Sequence, residues 1–123
     1  METRIVIVGT RHRGAEAMAA LAALTRGTPI ALRREPDNAY DPGAVACYAG
    51  DMHLGYLPRA QYGSIRDALD AGRAVEATLT SEAIIDNGDI VPGGAPRLTV
   101  SWAPVPDIGP NQNDGPADFS ERI

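Results

Sequence analysis

No helix and no strand interior can run through Arg34-Glu35-Pro36-Asp37-Asn38-Ala39-Tyr40-Asp41-Pro42. Each proline fixes φ and lacks an amide donor, so neither can feed a helix or a central ladder. Asp and Asn tolerate turn conformations and bond their own backbone. The stretch therefore divides the chain, as a rigid, solvent-facing loop dense in hydrogen-bonding groups. Its tyrosine offers a flat face and a hydroxyl together, a combination that suits a nucleotide end or another small polar target.

On either side of this loop the pattern is regular. Arg4 to Gly9 reads as a strand, because Ile5-Val6-Ile7-Val8 is β-branched throughout and does not alternate; such a run is expected to be buried on both faces. Ala15 to Leu24 reads as a helix with Met18, Leu21 and Leu24 on one face, closed by Arg26-Gly27. Thr28 to Arg34 is a second strand. Beyond the loop, Ala44 to Ala49 and Met52 to Leu57 form a hairpin around Gly50-Asp51. A second helix is expected from Pro58 to about Ala71, with Tyr62, Ile65 and Leu69 inward. Ala74 to Ala83 alternates as a half-buried strand, Asp86 to Pro96 is a turn-rich loop, and Arg97 to Trp102 is the last strand.

A chain of 123 residues fits one domain with one core. No apolar window reaches the roughly 18 residues a membrane span needs, and Met1 to Arg4 does not begin a signal peptide. With Cys47 alone, an internal disulfide is impossible, so a reducing cytoplasm is the expected location. The formal charge of −5 argues against a nonspecific duplex-DNA binder, whose footprint is basic. The charge is uneven: residues 104–123 hold one arginine against four carboxylates. That segment is rich in Pro, Gly and Asn and is expected to be a disordered acidic tail behind a domain of residues 1–103.

The signatures of catalysis are weak. Glu35, Asp37 and Asp41 offer oxygens of the kind Mg²⁺ takes, but their spacing matches no nuclease motif and no general base accompanies them. His12, Cys47 and His53 lack zinc spacing. Asp86-Asn87-Gly88-Asp89 lacks the distal glutamate of a calcium loop, so a turn is expected there. Gly9 and Gly14 bracket a loop without the Lys-Ser/Thr of a phosphate-binding loop. No enzyme, metal or cofactor is expected.

Taken in order, Val8-Gly9-Thr10-Arg11, then Glu35-Pro36-Asp37-Asn38-Ala39-Tyr40-Asp41, then Gly55-Tyr56-Leu57-Pro58-Arg59 resemble the HIRAN domain over residues 4–102. This domain is found at the N-terminus of some helicases and as stand-alone bacterial proteins. The resemblance implies a mostly β (α+β) fold: an OB-like six-stranded β-barrel with two helices, in the order β-α-β-β-β-α-β-β. OB barrels bind single strands with a cationic groove and stacking platforms. In a helicase member, the domain captures the 3′-hydroxyl end of single-stranded DNA. By resemblance, Tyr40 stacks on a terminal base, Asp41 accepts the 3′-hydroxyl, Asn38 helps hold the base or the loop, and Arg11 and Arg59 take phosphates; Asp37 is a further candidate contact in the same loop. Where that member carries two aromatics, this chain has His12 and Arg13, either of which can lie against a base.

The resemblance thus implies a non-enzymatic nucleic-acid-binding module for single-stranded DNA or a DNA 3′ end, in repair, replication or mobile-element biology. The rival reading keeps the fold without the ligand, as a protein-interaction or regulatory module engaged through the acidic tail. A metal-dependent nuclease is the third.

Overall fold

The β-branched run at residues 5–8 does enter a sheet, but it changes partner on the way. The computed structural model describes residues 1–103. Strand β1 (Glu2–Val6) pairs antiparallel with β8 (Arg97–Trp102). Ile7 then donates its N–H to the Pro96 carbonyl at 3.1 Å, and Val8 exchanges two hydrogen bonds with Tyr56, each 2.8 Å. Ile5 and Ile7 are buried, but Val8 is left exposed at the surface. The expected strand to Gly9 is therefore shorter, because the backbone leaves β8 to reach the opposite edge of the sheet.

That edge is β4 (Met52–Tyr56). The remaining strands of the main sheet are β2 (Pro29–Arg34), β3 (Val45–Ala49) and β5 (Val75–Ser81), and the spatial order is β1-β8-β5-β2-β3-β4, antiparallel throughout. The six-stranded sheet curls, and the Val8–Tyr56 bridge joins its two ends at one point. The OB-like, mostly β architecture with two helices is thus present in the expected order. Leu21, Leu54, Ile65, Leu79 and Leu98 are each at most 1% exposed and form the core with Ile7.

Helix α1 (Ala15–Ala23) ends sooner than its glycine stop suggests. Leu24 is already extended, and its N–H bonds the Leu21 carbonyl at 3.2 Å. Gly27, at φ 91°, serves instead in the connection to β2, donating to the Leu79 carbonyl of β5. Helix α2 (Gly63–Asp70) begins five residues later than Pro58. Pro58 to Gln61 form a separate turn, closed by the Gln61 N–H on the Pro58 carbonyl. Tyr62 then enters the helix with its ring buried.

The segment 86–96 holds more order than a loop. β6 (Ile85–Asp86) and β7 (Asp89–Ile90) form a ribbon over Asn87-Gly88, both with positive φ. Asn-Gly is the sequence that such two-residue hairpins favour. Residues 104–123, with the expected disordered tail, lie outside the described residues.

Candidate functional site

The proline-bounded loop is braced by its own side chains. The Asn38 side-chain carbonyl accepts the N–H of Tyr40 at 2.9 Å and of Asp41 at 3.0 Å. Its amide nitrogen donates to Glu35 Oε1 at 3.0 Å. The Tyr56 hydroxyl donates to the same Glu35 oxygen at 2.9 Å, tying the loop to β4. Arg34 reaches both the Ala44 carbonyl (3.0 Å) and the Asp70 carboxylate of α2 (2.7 Å). Asp41 Oδ1 accepts the Gly43 N–H at 3.0 Å, and the Tyr62 hydroxyl bonds both of its carboxylate oxygens. A side chain at Gly43 would run into that hydroxyl, so the turn needs a glycine there.

This bracing leaves Tyr40 free. Tyr40 is 95% exposed, so among the described residues nothing covers its ring. Beside it lies a cavity of about 340 Å³. Val8, Ala44 and Leu57 supply its apolar lining, Tyr40 and Tyr56 its aromatic walls, and Asn38, Asp41 and Arg59 its polar groups. Concave, mostly apolar sites with a few convergent polar groups are where small ligands and ligand ends bind.

The other expected site residues fan out around this cavity. Arg11 and His12 line a neighbouring groove with Val91 and Pro92, and Val8 is common to both. The Arg11 guanidinium is bonded to Asp89 on β7 at 3.0 and 3.2 Å. That contact, with the Ile90 N–H, holds the Asp89 carboxyl below its usual range. The charge of Arg13 falls instead on His53 and Tyr56. Asp37 is exposed and makes no side-chain hydrogen bond among the described residues. Glu35, Asp37 and Asp41 do not converge, and no cluster of three His, Cys, Asp or Glu among the described residues could hold a metal. The Cys47 thiol is fully buried, and burial raises its pKa.

Two residues of the site escape a reading of sequence alone. Tyr56 is on the open face rather than in the core, and Tyr62 anchors Asp41. Both phenols are pushed above their usual range, first by burial and then by their carboxylate partners. A bulge exposes Tyr56: Gly55 lies opposite Cys47, whereas Tyr48 lies opposite His53. The extra residue turns both Leu54 and Gly55 inward and Tyr56 outward. Gly55 is required there, because a Cβ would strike the Val8 carbonyl.

The curled antiparallel sheet, its two ends joined by the Val8–Tyr56 bridge, defines a small OB-like β domain with two helices. The family profile of the HIRAN domain matches residues 2–87, and the chain belongs to that family. Two solved structures share the fold. A protein from Lactobacillus plantarum is 23% identical, with a TM-score of 0.65, over 83% of this chain and 96% of its own. The HIRAN domain of human HLTF is 18% identical, with a TM-score of 0.61, over 82% of this chain and 74% of its own. No curated protein matches the chain. Among the described residues no helix is long and apolar enough to cross a membrane.

Proposed function

We propose that this HIRAN domain is a non-catalytic module that binds single-stranded DNA and seats a 3′-hydroxyl end in the cavity beside Tyr40. The observation that carries this reading is a 95% exposed tyrosine on a braced loop, sharing a cavity with one carboxylate and one arginine. Tyr40 stacks on the terminal base, an interaction worth about 1–3 kcal/mol that tolerates any sequence. A carboxylate has about four acceptor positions; Gly43 and Tyr62 leave capacity on Asp41 for one more donor. A 3′-hydroxyl can be that donor, whereas a phosphate there meets like charge. Arg59 takes the adjoining phosphate, and Arg11 with His12 receives the strand in the neighbouring groove. Asn38 holds the loop, and Asp37 keeps phosphates off its outer side. Two or three arginines on phosphates give a shallow salt slope, about −2 in log–log terms. The setting is DNA repair, replication or mobile-element biology in the cytoplasm.

Titration with fluorescent 3′-hydroxyl and 3′-phosphate oligonucleotides tests this. Tighter binding of the hydroxyl end is expected. Equal binding of the two, or none at low salt, rejects end capture.

A second reading rests on charge. The last twenty residues carry one arginine against four carboxylates, so this segment competes with DNA for the arginines or engages a protein partner. A sharp rise in DNA binding on deletion of residues 104–123 supports competition. A shortened domain that still ignores DNA favours the protein partner.

A further inference from the structure

Outside the cavity, the open face of β2, β3 and β4 carries a row of side chains with no role in the site above. Arg33, Tyr48 and His53 stand on three neighbouring strands. The Arg33 guanidinium lies 4.1 Å from the centre of the Tyr48 ring. On the other side, His53 stacks on Tyr48 at 4.7 Å with the planes 12° apart. His53 then meets Tyr56 edge-on at 4.9 Å. Tyr56 is also a wall of the cavity, so column and cavity form one continuous surface.

The column is not core. Arg33 is exposed, and Tyr48 and His53 are half-buried. Cross-strand pairing accounts for the contact between Tyr48 and His53, which are direct partners in the ladder. Arg33, paired with Ala46, is the diagonal neighbour of Tyr48, and its guanidinium sits over the tyrosine ring although the residue itself is exposed. Cation–π contacts at exposed sites are weak, and a stacked base is worth more. The guanidinium therefore covers a seat that a base can take, and once displaced it remains beside that seat to meet a phosphate. Arg13, whose charge reaches His53 and Tyr56, adds a second cation. Among the described residues neither Arg13 nor Arg33 pairs with a carboxylate. Glu35, the acid whose charge acts on His53, is bonded by Tyr56 and Asn38.

We infer that the Arg33–Tyr48–His53 column is a second stacking subsite, for a base 5′ of the nucleotide held at Tyr40. An unpaired base is required, since a duplex hides the base faces. The inference rests on the single-strand reading above and adds to it a minimum strand length and a place for the upstream base.

Chemical-shift titration of the full chain with 3′-hydroxyl thymidine oligonucleotides of two and six nucleotides tests it. A third probe, a six-mer with abasic units at the third and fourth positions from the 3′ end, keeps the phosphates and removes the bases. The intact six-mer is expected to bind about tenfold tighter than its abasic counterpart, the worth of one stacked base, and to move the signals of Tyr48 and His53. Tyr48→Ala is expected to remove that difference while leaving the dinucleotide affinity unchanged; Tyr48→Phe keeps it. Equal affinity of intact and abasic six-mers, in a protein that binds the dinucleotide, overturns the second subsite alone. Failure of every probe to bind overturns the single-strand reading and the subsite with it.

Discussion

The Tyr62 hydroxyl donates to both carboxylate oxygens of Asp41, at 2.8 and 3.0 Å, from the residue that caps the N-terminus of α2. Helix and loop are thereby joined through a charge-assisted bond that fixes the orientation of Asp41. Tyr62→Phe keeps the ring in the core and removes only this bond. The expected cost is about 1–3 kcal/mol of stability, as for other hydrogen bonds to charged groups. Affinity for a 3′-hydroxyl oligonucleotide is expected to fall as well, because the carboxylate loses its orientation. Urea unfolding and the titration described above read the two effects. A variant as stable as the parent shows that the bond adds nothing to folding.

The same pair sets a pH dependence. All eleven basic side chains are arginine, so between about pH 9 and 12 the titrating side chains are the tyrosines and Cys47. Tyr56 and Tyr62 have raised values in the folded state. Above the unfolded value, near 10, the folded protein keeps protons that the unfolded chain releases, so stability falls as pH rises. Their contribution is fully present below about pH 10 and is lost as pH climbs through the folded values. Cys47, also raised, adds the same sign from its lower starting point. Unfolding midpoints across this range are expected to drop steadily in the parent and less steeply in Tyr62→Phe. Parallel curves for the two proteins remove Tyr62 as a cause.

Gly55 is the narrowest point of the fold. Its φ is 154°, and an added Cβ would press on the Val8 carbonyl, the Ile7 side chain and the Thr10 hydroxyl. Gly55→Ala must push the Val8 backbone away and break the bridge to Tyr56. Overpacking of this kind costs about 1–3 kcal/mol. Because the bridge joins the ends of the sheet and Val8 lines the cavity, DNA affinity is expected to fall with stability. Protection of the Val8 and Tyr56 amides from hydrogen exchange is the direct readout. Unchanged protection means the closure tolerates a methyl group.

Much of this fold is legible in the sequence because local chemistry dictates it. Two prolines stop regular structure at the loop, and the alternation of Ala77 and Leu79 with Glu76 and Thr78 sets the buried face of β5. What is not legible depends on long-range pairing. Val8 belongs to a β-branched run, yet its backbone turns to a partner 48 positions away. Tyr56 has the parity of Leu54 and reads as a core residue; the bulge reverses it. The loop residues Asn38, Tyr40 and Asp41, whose motif is local in sequence, line one cavity with Arg59 from a separate motif. Arg11 lines the neighbouring groove instead and is bonded there to Asp89, on a ribbon whose Asn-Gly turn alone is visible in sequence.

The Arg11–Asp89 ion pair sits beside the neighbouring groove, which Arg11 lines. The side chains of Arg11 and Asp89 are 65% and 51% exposed, so the contact is weak and easily exchanged. In the proposed single-strand reading, a phosphate that reaches Arg11 competes with this carboxylate for the same guanidinium. Asp89→Asn keeps an oxygen for the Ile90 N–H and preserves the turn, but it removes the charge. Single-strand affinity is expected to rise about two- to fivefold at low ionic strength, and the gain to vanish near 1 M salt, where the screening length is about 3 Å. Thermal stability should scarcely move. In an Arg11→Ala background, Asp89→Asn is expected to give a smaller gain, limited to the general loss of negative charge. Equal gains in both backgrounds would mean that Asp89 acts on the strand through its own charge and that Arg11 takes no phosphate.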